Sequence, residues 1–434
     1  MASVVVIGGG FGGLATAARL AKLGHEVTVL ERSSSIGGAL GQVESEGFSW
    51  DSGPSTTLLP AVIRDLFRKT GRPLERELEL VPREIVREHR FEDETSVALP
   101  GGSKGAQFDA VEALGPGLGQ QWVDYVSSFA DDWEMVRKEY LERPWRPEVA
   151  DKSVVSTIFT RDTVARRLKK TFKDERLRLM AAHPFVIDGH DPRNVPAWMG
   201  TTAYLEQGFG VWQVVGGMGL LTQALEERLA TRGVTVHRET EVKDLVVREG
   251  HVVAVATDRG QLDADLVVCA VDPRRLPALA SYVISTMPAL PPVICHLGLT
   301  GDVPEDLPPE IVFHGDPMLV LRTDGRAPEG AHAWSVYGRG KLAEDMVLAL
   351  ARKGINIRAS VDVRVDRSPR EQVETWGGSP MGVLWQGRDT IRRRLGPTTP
   401  IKGVYAAGAH ATPGAGLPFV GLSAALVAQE IGPA

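Results

Sequence analysis

An α/β fold, with one parallel sheet gathered from separated stretches of chain and an α+β domain interleaved between them, is predicted by three observations. The first is an apolar run at 4–7 that passes into Gly8, Gly10 and Gly13, then a helical pattern, then a second apolar run at 26–30 ending in Glu31. The second is the return, far downstream, of apolar runs at 266–271 and 403–407; the unbroken run at 266–271 has the character of a strand buried on both faces of a parallel sheet. The third is a change of style between these runs, where amphipathic helices and polar-alternating strands replace the βαβ pattern.

The opening stretch carries the most chemistry. Leu14, Ala17, Ala18 and Ala21 share one helix face, and Gly24 ends that helix. In G-x-G-x-x-G spacing after a strand, Gly8 permits the tight turn, Gly10 lets a pyrophosphate approach the backbone, and Gly13 lets helix and strand pack closely. Phe11 and Gly12 open the helix, whose N-terminus offers free N–H groups and positive dipole to phosphate. Glu31 is expected to accept hydrogen bonds from an adenosine ribose, with Arg32 beside it. Strand, helix and acid agree, so the stretch reads as a Rossmann-like dinucleotide site and not as an ordinary glycine-rich loop.

Ile36-Gly37-Gly38 and Trp50-Asp51-Ser52-Gly53-Pro54 follow. This order is similar to the FAD-binding start of the glutathione-reductase-like flavoproteins, and most of all of the phytoene desaturase and amine oxidase flavoproteins. The resemblance implies FAD, with backbone at Gly38 and Ala39 against its ribityl and pyrophosphate groups. Ser55 and Thr56 are then expected close to the isoalloxazine ring.

Composition narrows the rest. Hydrophobic residues make up 43% and charged residues 24%, an ordinary globular balance for a chain long enough for two domains. A formal charge of −6 offers no basic field, so nucleic acid is discarded as a partner. Cys269 and Cys295 sit in apolar runs and read as buried thiols, and no C-x-x-C dithiol occurs. No run reaches the roughly 18 to 20 apolar residues of a membrane span. No secretory pattern precedes the first strand, so the expected location is the cytoplasm, with peripheral docking on a membrane face left open.

Taken in order, residues 1–58 are expected to form the first part of the FAD-binding domain and 59–205 the first part of a substrate or cap domain. Within the latter, 57–67 reads as a helix, 78–99 as strands, 109–141 as helices broken at Gly115-Pro116-Gly117, and 155–180 as a basic helical pair with a solvated charged face. The FAD-binding domain resumes over 206–280: Gly216-Gly217-Met218-Gly219 opens a helix with a stripe of Leu220, Leu221, Ala224, Leu225 and Leu229, and β-type runs follow. Residues 281–398 return to the substrate domain, with β-like runs at 293–299, 318–322 and 333–337 and a helix at 342–352. Residues 399–434 close the FAD site: a strand at 403–407, a glycine-rich turn at 408–416 and a small-residue helix at 418–431.

Several of these stretches point to one family. The segments at 207–225, 171–180 and 191–196, together with 401–428, resemble in sequence and order the bacterial phytoene desaturase-related FAD oxidoreductases, within the amine oxidase-like superfamily. The resemblance implies that Gly408 and Ala409 approach the flavin-linked phosphates, that Leu417, Pro418 and Val420 begin a helix aimed at the pyrimidine end of the isoalloxazine, and that Val242 lends its backbone to the adenine. Pro418 opens that helix without losing a needed donor. The chain departs from the family pattern where Ala39 and Leu40 follow Gly38, where Thr412-Pro413-Gly414 stands with the histidine earlier at His410, and where Trp212-Gln213 precedes the Gly-Gly-Met helix.

The resemblance implies hydride transfer to flavin from an apolar, isoprenoid or carotenoid-like substrate, with the cofactor carrying the redox step. Among the ten histidines, only His410 lies inside a flavin signature. It reads either as an acid/base or flavin-proximal donor, or as a hydrogen-bonded turn residue. His183 and His190 are weaker candidates, and Trp198, Tyr204, Trp376 and Trp385 read first as core packing and second as the lining of an apolar pocket. No spacing suggests a metal. Two other functions stay open: a flavin amine oxidase of the same fold, which usually wants an aromatic cage that six tyrosines scarcely supply, and a non-redox flavin-dependent isomerase.

Overall fold

Strands at Ser3–Ile7, Glu26–Leu30, Thr235–His237, Leu266–Cys269 and Val404–Ala406 pair in parallel into one five-stranded sheet. The computed structural model describes residues 1–434. Alternation along the first strand decides how this sheet is covered. Val4 and Val6 face the helices Phe11–Lys22, Gly219–Thr231 and Leu417–Ile431, whereas Val5 and Ile7 face an antiparallel meander of Val242–Arg248, His251–Thr257 and Gly260–Asp263. With both faces covered, each buried valine contributes about 1.5–3 kcal/mol. The order of the sheet, with the C-terminal strand at one edge and Thr235–His237 at the other, brings chain segments far apart in sequence to one carboxyl edge.

A second, seven-stranded sheet is mixed. Its strands, in spatial order, are Val361–Arg367, Val293–Thr300, Ala331–Arg339, Met318–Arg322, Glu310–Phe313, Ile85–Arg90 and Ser96–Pro100. Glu310–Phe313 runs parallel to Ile85–Arg90, and all other pairs are antiparallel. One face buries Leu297, Leu319, Leu321, Trp334 and Val336 under the helix Met346–Arg352. On the other face Val312, Met318, Val320 and Tyr337 pack against Val186 and Ile187.

Those two residues end the helix Glu175–Ile187, part of a helical layer with a core of Trp122, Phe129, Tyr140, Phe172 and Trp198. The stretch expected as a helical pair is three helices, Lys152–Ile158, Val164–Thr171 and Glu175–Ile187. The breaks have a local cause: Thr163 and Asp174 each accept the backbone N–H of the residue two or three ahead and start a new helix. Arg166, Lys169, Lys170 and Lys173 there are exposed, whereas Arg167 lies 4.2 Å over the Phe129 ring and the partly buried Arg176 pairs with Asp174 at 2.7 Å. Trp198 and Trp385 meet edge to face in this core at 6.1 Å, and both cysteines are buried and free.

Candidate functional site

Three glycine-bearing loops converge at the carboxyl edge of the parallel sheet. Gly8, at φ +99°, donates its N–H to the Leu30 carbonyl at 2.8 Å, and Gly37 donates to the Gly9 carbonyl at 2.8 Å. A Cβ on Gly38 would stand 3.2 Å from Gly10 Cα, and one on Gly12 would stand 2.8 Å from Gly408 Cα. Gly408 in turn donates its N–H to the buried Ser423 Oγ at 3.2 Å. Gly10 differs from its neighbours, because a Cβ there would meet nothing within 4 Å. Its φ of −73° and ψ of 173° suit any residue, so neither strain nor packing in the protein requires glycine. The open space at Gly10 is a cradle that a side chain would fill.

Two helices begin at this convergence. Gly10 caps Phe11–Lys22 and Gly416 caps Leu417–Ile431, and neither cap supplies a side-chain acceptor. The first-turn N–H groups of both helices therefore keep free hydrogen-bonding capacity beside the cradle. Pro418 sits in the first turn, where no donor is lost. A Cβ on Gly12 would lie 3.2 Å from Val420 Cγ1, so the two helix starts are in direct contact.

The remaining residues singled out in the sequence lie around this crossing. Glu31 accepts the Gly9 N–H at 2.7 Å and the Ser33 N–H at 2.8 Å, one on each carboxylate oxygen. The acid thus pins the first glycine loop, and each oxygen retains further acceptor capacity. Thr240 donates its N–H to the Glu31 carbonyl at 2.9 Å, which sets Val242, two residues on, near that end of the sheet. Arg32 donates to the carbonyls of Glu374 and Thr375, at the C-terminus of the helix Pro369–Trp376, where the dipole favours a cation. Ala39 accepts the Ser52 hydroxyl through its carbonyl at 3.3 Å. Ser55 is buried and its Oγ has no hydrogen-bond partner, an orphaned polar group beside Thr56.

On the far side, Ala409 is covered by the loop at Gly382, whose φ is +63° and whose Cβ position the Ala409 carbonyl occupies. His410 is buried; its Nε2 lies 3.0 Å from the Ser379 carbonyl and its Nδ1 lies 3.8 Å from Asp272. Burial lowers its pKa from the ordinary imidazole value, against the opposing pull of Asp272. The geometry ties His410 to the 378–382 loop that covers Ala409.

Sequence reasoning missed the charged face of the second sheet. Arg87 pairs with Glu206 of the helix Thr201–Phe209 at 2.7 Å and with Glu310 at 3.0 Å, and Arg322 takes the other Glu310 oxygen at 3.0 Å. Burial opposes ionisation of Glu310, but the Arg322 and Arg87 guanidiniums prevail and hold its carboxyl down at about 2. Arg322 also lies 4.6 Å over the Tyr337 ring and donates to Tyr337 Oη and the Gly53 carbonyl, both at 3.3 Å. Arg322 and Tyr337 line a small pocket together with Ser55, Asp51 and Asp324. A second pocket, at the Arg87–Glu206 pair, is mostly apolar and includes Leu99, Trp122, Met180 and Phe185. Period-2 alternation in Ile85–Arg90 was the available signal, since Arg87 and His89 share a face; the pairing of that strand with Glu310–Phe313 had none.

These features fit a dinucleotide flavin: an open cradle at Gly10, two uncapped helix starts, and an unpartnered hydroxyl at Ser55. The model of the flavin containing amine oxidoreductase family matches residues 11–432. The chain belongs to that family. As a flavin amine oxidoreductase it is an FAD-dependent enzyme of the oxidoreductase class. It is 27% identical over 488 residues to a zeta-carotene-forming phytoene desaturase of Myxococcus xanthus, across 99% of this chain and 93% of the relative. It is 24% identical over 501 residues to a 4,4'-diapophytoene desaturase (4,4'-diaponeurosporene-forming) of Staphylococcus aureus strain COL, across 99% and 98%. The solved cyclohexylamine oxidase of Brevibacterium oxydans IH-35A shares the fold, with a TM-score of 0.68 at 17% identity over 99% of both chains. The expected fold class and cofactor are therefore borne out.

Proposed function

We propose that this flavin amine oxidoreductase is a desaturase that removes two hydrogens from neighbouring carbons of an apolar, isoprenoid substrate. The observation that carries this reading is similarity over nearly the whole length to two carotenoid desaturases, in a chain that covers 93% and 98% of them. The tyrosines support it over amine oxidation. Of the six, Tyr125 and Tyr140 lie in the helical core with Tyr204 packed against it, Tyr405 in the parallel sheet and Tyr282 at the surface, leaving Tyr337 without a tyrosine partner at the pocket.

In this reading residues 1–58, 206–280 and 399–434 form the cofactor domain, and 59–205 and 281–398 the substrate domain. Backbone at Gly8, Gly10, Phe11, Gly12 and Gly13, with Gly408 and Ala409, binds the pyrophosphate. Glu31, Arg32 and Val242 serve the adenosine end. Gly38 and Ala39 border the ribityl chain, and Ser55, Thr56, Leu417, Pro418 and Val420 border the ring. When bound, FAD supplies the two-electron acceptor. Ser55 and the 408–418 loop would hold the ring, and His410 positions that loop through Ser379. No helix is long and apolar enough to cross a membrane. Tyr282, Ile284, Met287 and Leu290 are nonetheless exposed on one loop, and this loop is the proposed contact with a lipid surface that holds the substrate.

The test is to mix the FAD-loaded protein anaerobically with isoprenoid hydrocarbons in vesicles, and separately with a panel of amines. Flavin bleaching by the hydrocarbon alone supports the proposal; bleaching by an amine alone rejects it.

A further inference from the structure

A site for a pure hydrocarbon is walled by apolar side chains, yet the pocket at Ser55 is polar. Trp50 and Tyr337 are its only apolar rings, and Arg322, Arg326, Asp51 and Asp324 bring charge to it. The cavity measures about 20 Å³, room for one water-sized group. A short series of contacts ties it to the glycine cradle. Arg322 donates to the Gly53 carbonyl at 3.3 Å, a Cβ on Gly53 would stand 2.4 Å from the Ala39 carbonyl oxygen, and one on the adjacent Gly38 would stand 3.2 Å from Gly10 Cα. Ser55, just past Gly53 and proposed to border the flavin ring, lines the same pocket with its unpartnered hydroxyl.

Most polar groups of this lining are committed to the protein. Arg326 donates to the Gly216 carbonyl, and at 2.7 Å to Ser49 Oγ. Asp51 accepts the Met218 N–H at 3.1 Å, and Asp324 pairs with the buried Arg83. Arg322 and Tyr337 differ. Glu310 fixes Arg322 Nε at 3.0 Å, and Nη1 donates to the Gly53 carbonyl and to Tyr337 Oη, which leaves Nη2 without a hydrogen bond. Tyr337 is only 7% exposed; its Oη accepts from Arg322, while its own O–H proton has no acceptor. The guanidinium lies 4.6 Å over the Tyr337 ring, and Arg87 braces Glu310 from behind at 3.0 Å. Two donors on neighbouring strands of the second sheet are thus held in place at the pocket with nothing of the protein to bind.

We propose that Arg322 and Tyr337 form a recognition site for one neutral oxygen of the substrate, so that the preferred ligand is an isoprenoid carrying a hydroxyl or carbonyl group. Arg322 Nη2 and the Tyr337 O–H donate to that oxygen, and the cavity is the size of such a group. The carboxylates of Asp51 and Asp324 in the same lining disfavour an anion by like charge. A hydrocarbon laid over the pocket leaves both donors unpaired, which is how a site of this kind rejects an analogue lacking the oxygen. The oxygen also anchors the chain beside Ser55 and so selects which carbon–carbon unit stands at the flavin. The isoprenoid skeleton of the ligand rests on the desaturase reading, whereas the oxygen site rests on the pocket.

The test is anaerobic equilibrium dialysis of the FAD-loaded protein against geranylgeraniol, geranylgeranial, geranylgeranoic acid and the parent hydrocarbon in one detergent. Comparing wild type with variants cancels the hydrophobicity of each ligand. Tyr337→Phe keeps the ring beneath Arg322 and removes only the donor; it should weaken the alcohol and the aldehyde by roughly fivefold and leave the hydrocarbon unchanged. Arg322→Lys keeps the charge beside Glu310 but not the guanidinium fork, and should weaken the same two ligands by roughly 10- to 150-fold. Equal weakening of all four ligands, or of none, overturns the proposal. Tightest binding by the acid overturns it too, as does loss of FAD from Tyr337→Phe, which would give the pocket to the cofactor. Dialysis needs no turnover: a flavin that no isoprenoid reduces rejects the desaturase reading, while the oxygen site is judged by these affinities.

Discussion

Replacing Gly10 by alanine separates the requirement of the fold from that of the cofactor. The backbone there is ordinary extended chain, and an added Cβ would meet no protein atom within 4 Å. Apoprotein stability should therefore stay within about 0.5 kcal/mol of wild type, or rise slightly because the unfolded chain loses freedom. If the open space belongs to the pyrophosphate, the methyl group overpacks it at about 1–3 kcal/mol, which weakens FAD binding by roughly 5- to 150-fold. Gly13→Ala is the opposite control. Its Cβ would overlap the Gly8 carbonyl oxygen, so helix and strand must separate and the apoprotein itself should lose stability. Urea unfolding of both apoproteins, paired with FAD titrations followed by flavin fluorescence, distinguishes the cases. Wild-type FAD affinity in Gly10→Ala would refute the argument, as would an apoprotein as unstable as Gly13→Ala.

Other consequences follow from buried charge. Burial holds His314 down at about 4, and His89 and His183 lie well below the ordinary imidazole value for the same reason. Their unfolded pKa is near about 6.5, so this neutral cluster keeps its full contribution above that pH and loses it as pH falls toward 4. His314 alone accounts for about 3 kcal/mol, read as a drop in urea midpoint between pH 7.5 and pH 4.5 that His314→Phe should reduce. Asp188, which follows the helix Glu175–Ile187, has the opposite sign: burial raises its pKa to about 6, so its charge disfavours folding at pH 7, and Asp188→Asn should raise the thermal midpoint, whereas a lowered one would show a structural partner. Glu206→Ala removes a bidentate partner of Arg87 inside the protein and should cost about 3–5 kcal/mol in urea unfolding. Ser55→Ala removes an orphaned hydroxyl; apoprotein stability should hold or rise while FAD affinity falls.

Local signals carried the cofactor half of the molecule. The strand, glycine turn, helix and acid at 4–31 lie in one continuous stretch, and each element matches its residues closely. The unbroken apolar run at 266–271 identifies a strand covered on both faces, which is where Leu266–Cys269 lies. The second sheet was far less legible. Its parallel pair joins Ile85–Arg90 to Glu310–Phe313 across more than half the chain, and no local pattern specifies such a partner. The Arg87–Glu310–Arg322 network depends on that pairing and was invisible for the same reason. His410 shows the complementary limit: its position inside a flavin signature was readable, but its attachment to Ser379 depends on a distant loop.

The central claim, that this FAD enzyme desaturates an apolar isoprenoid, is tested most directly by anaerobic single turnover with such a hydrocarbon presented in vesicles. The prediction is stoichiometric bleaching of the flavin together with a product lengthened in conjugation by one C=C bond. Flavin that stays oxidised with every hydrocarbon, while an amine reduces it and yields hydrogen peroxide on admission of oxygen, would contradict the account.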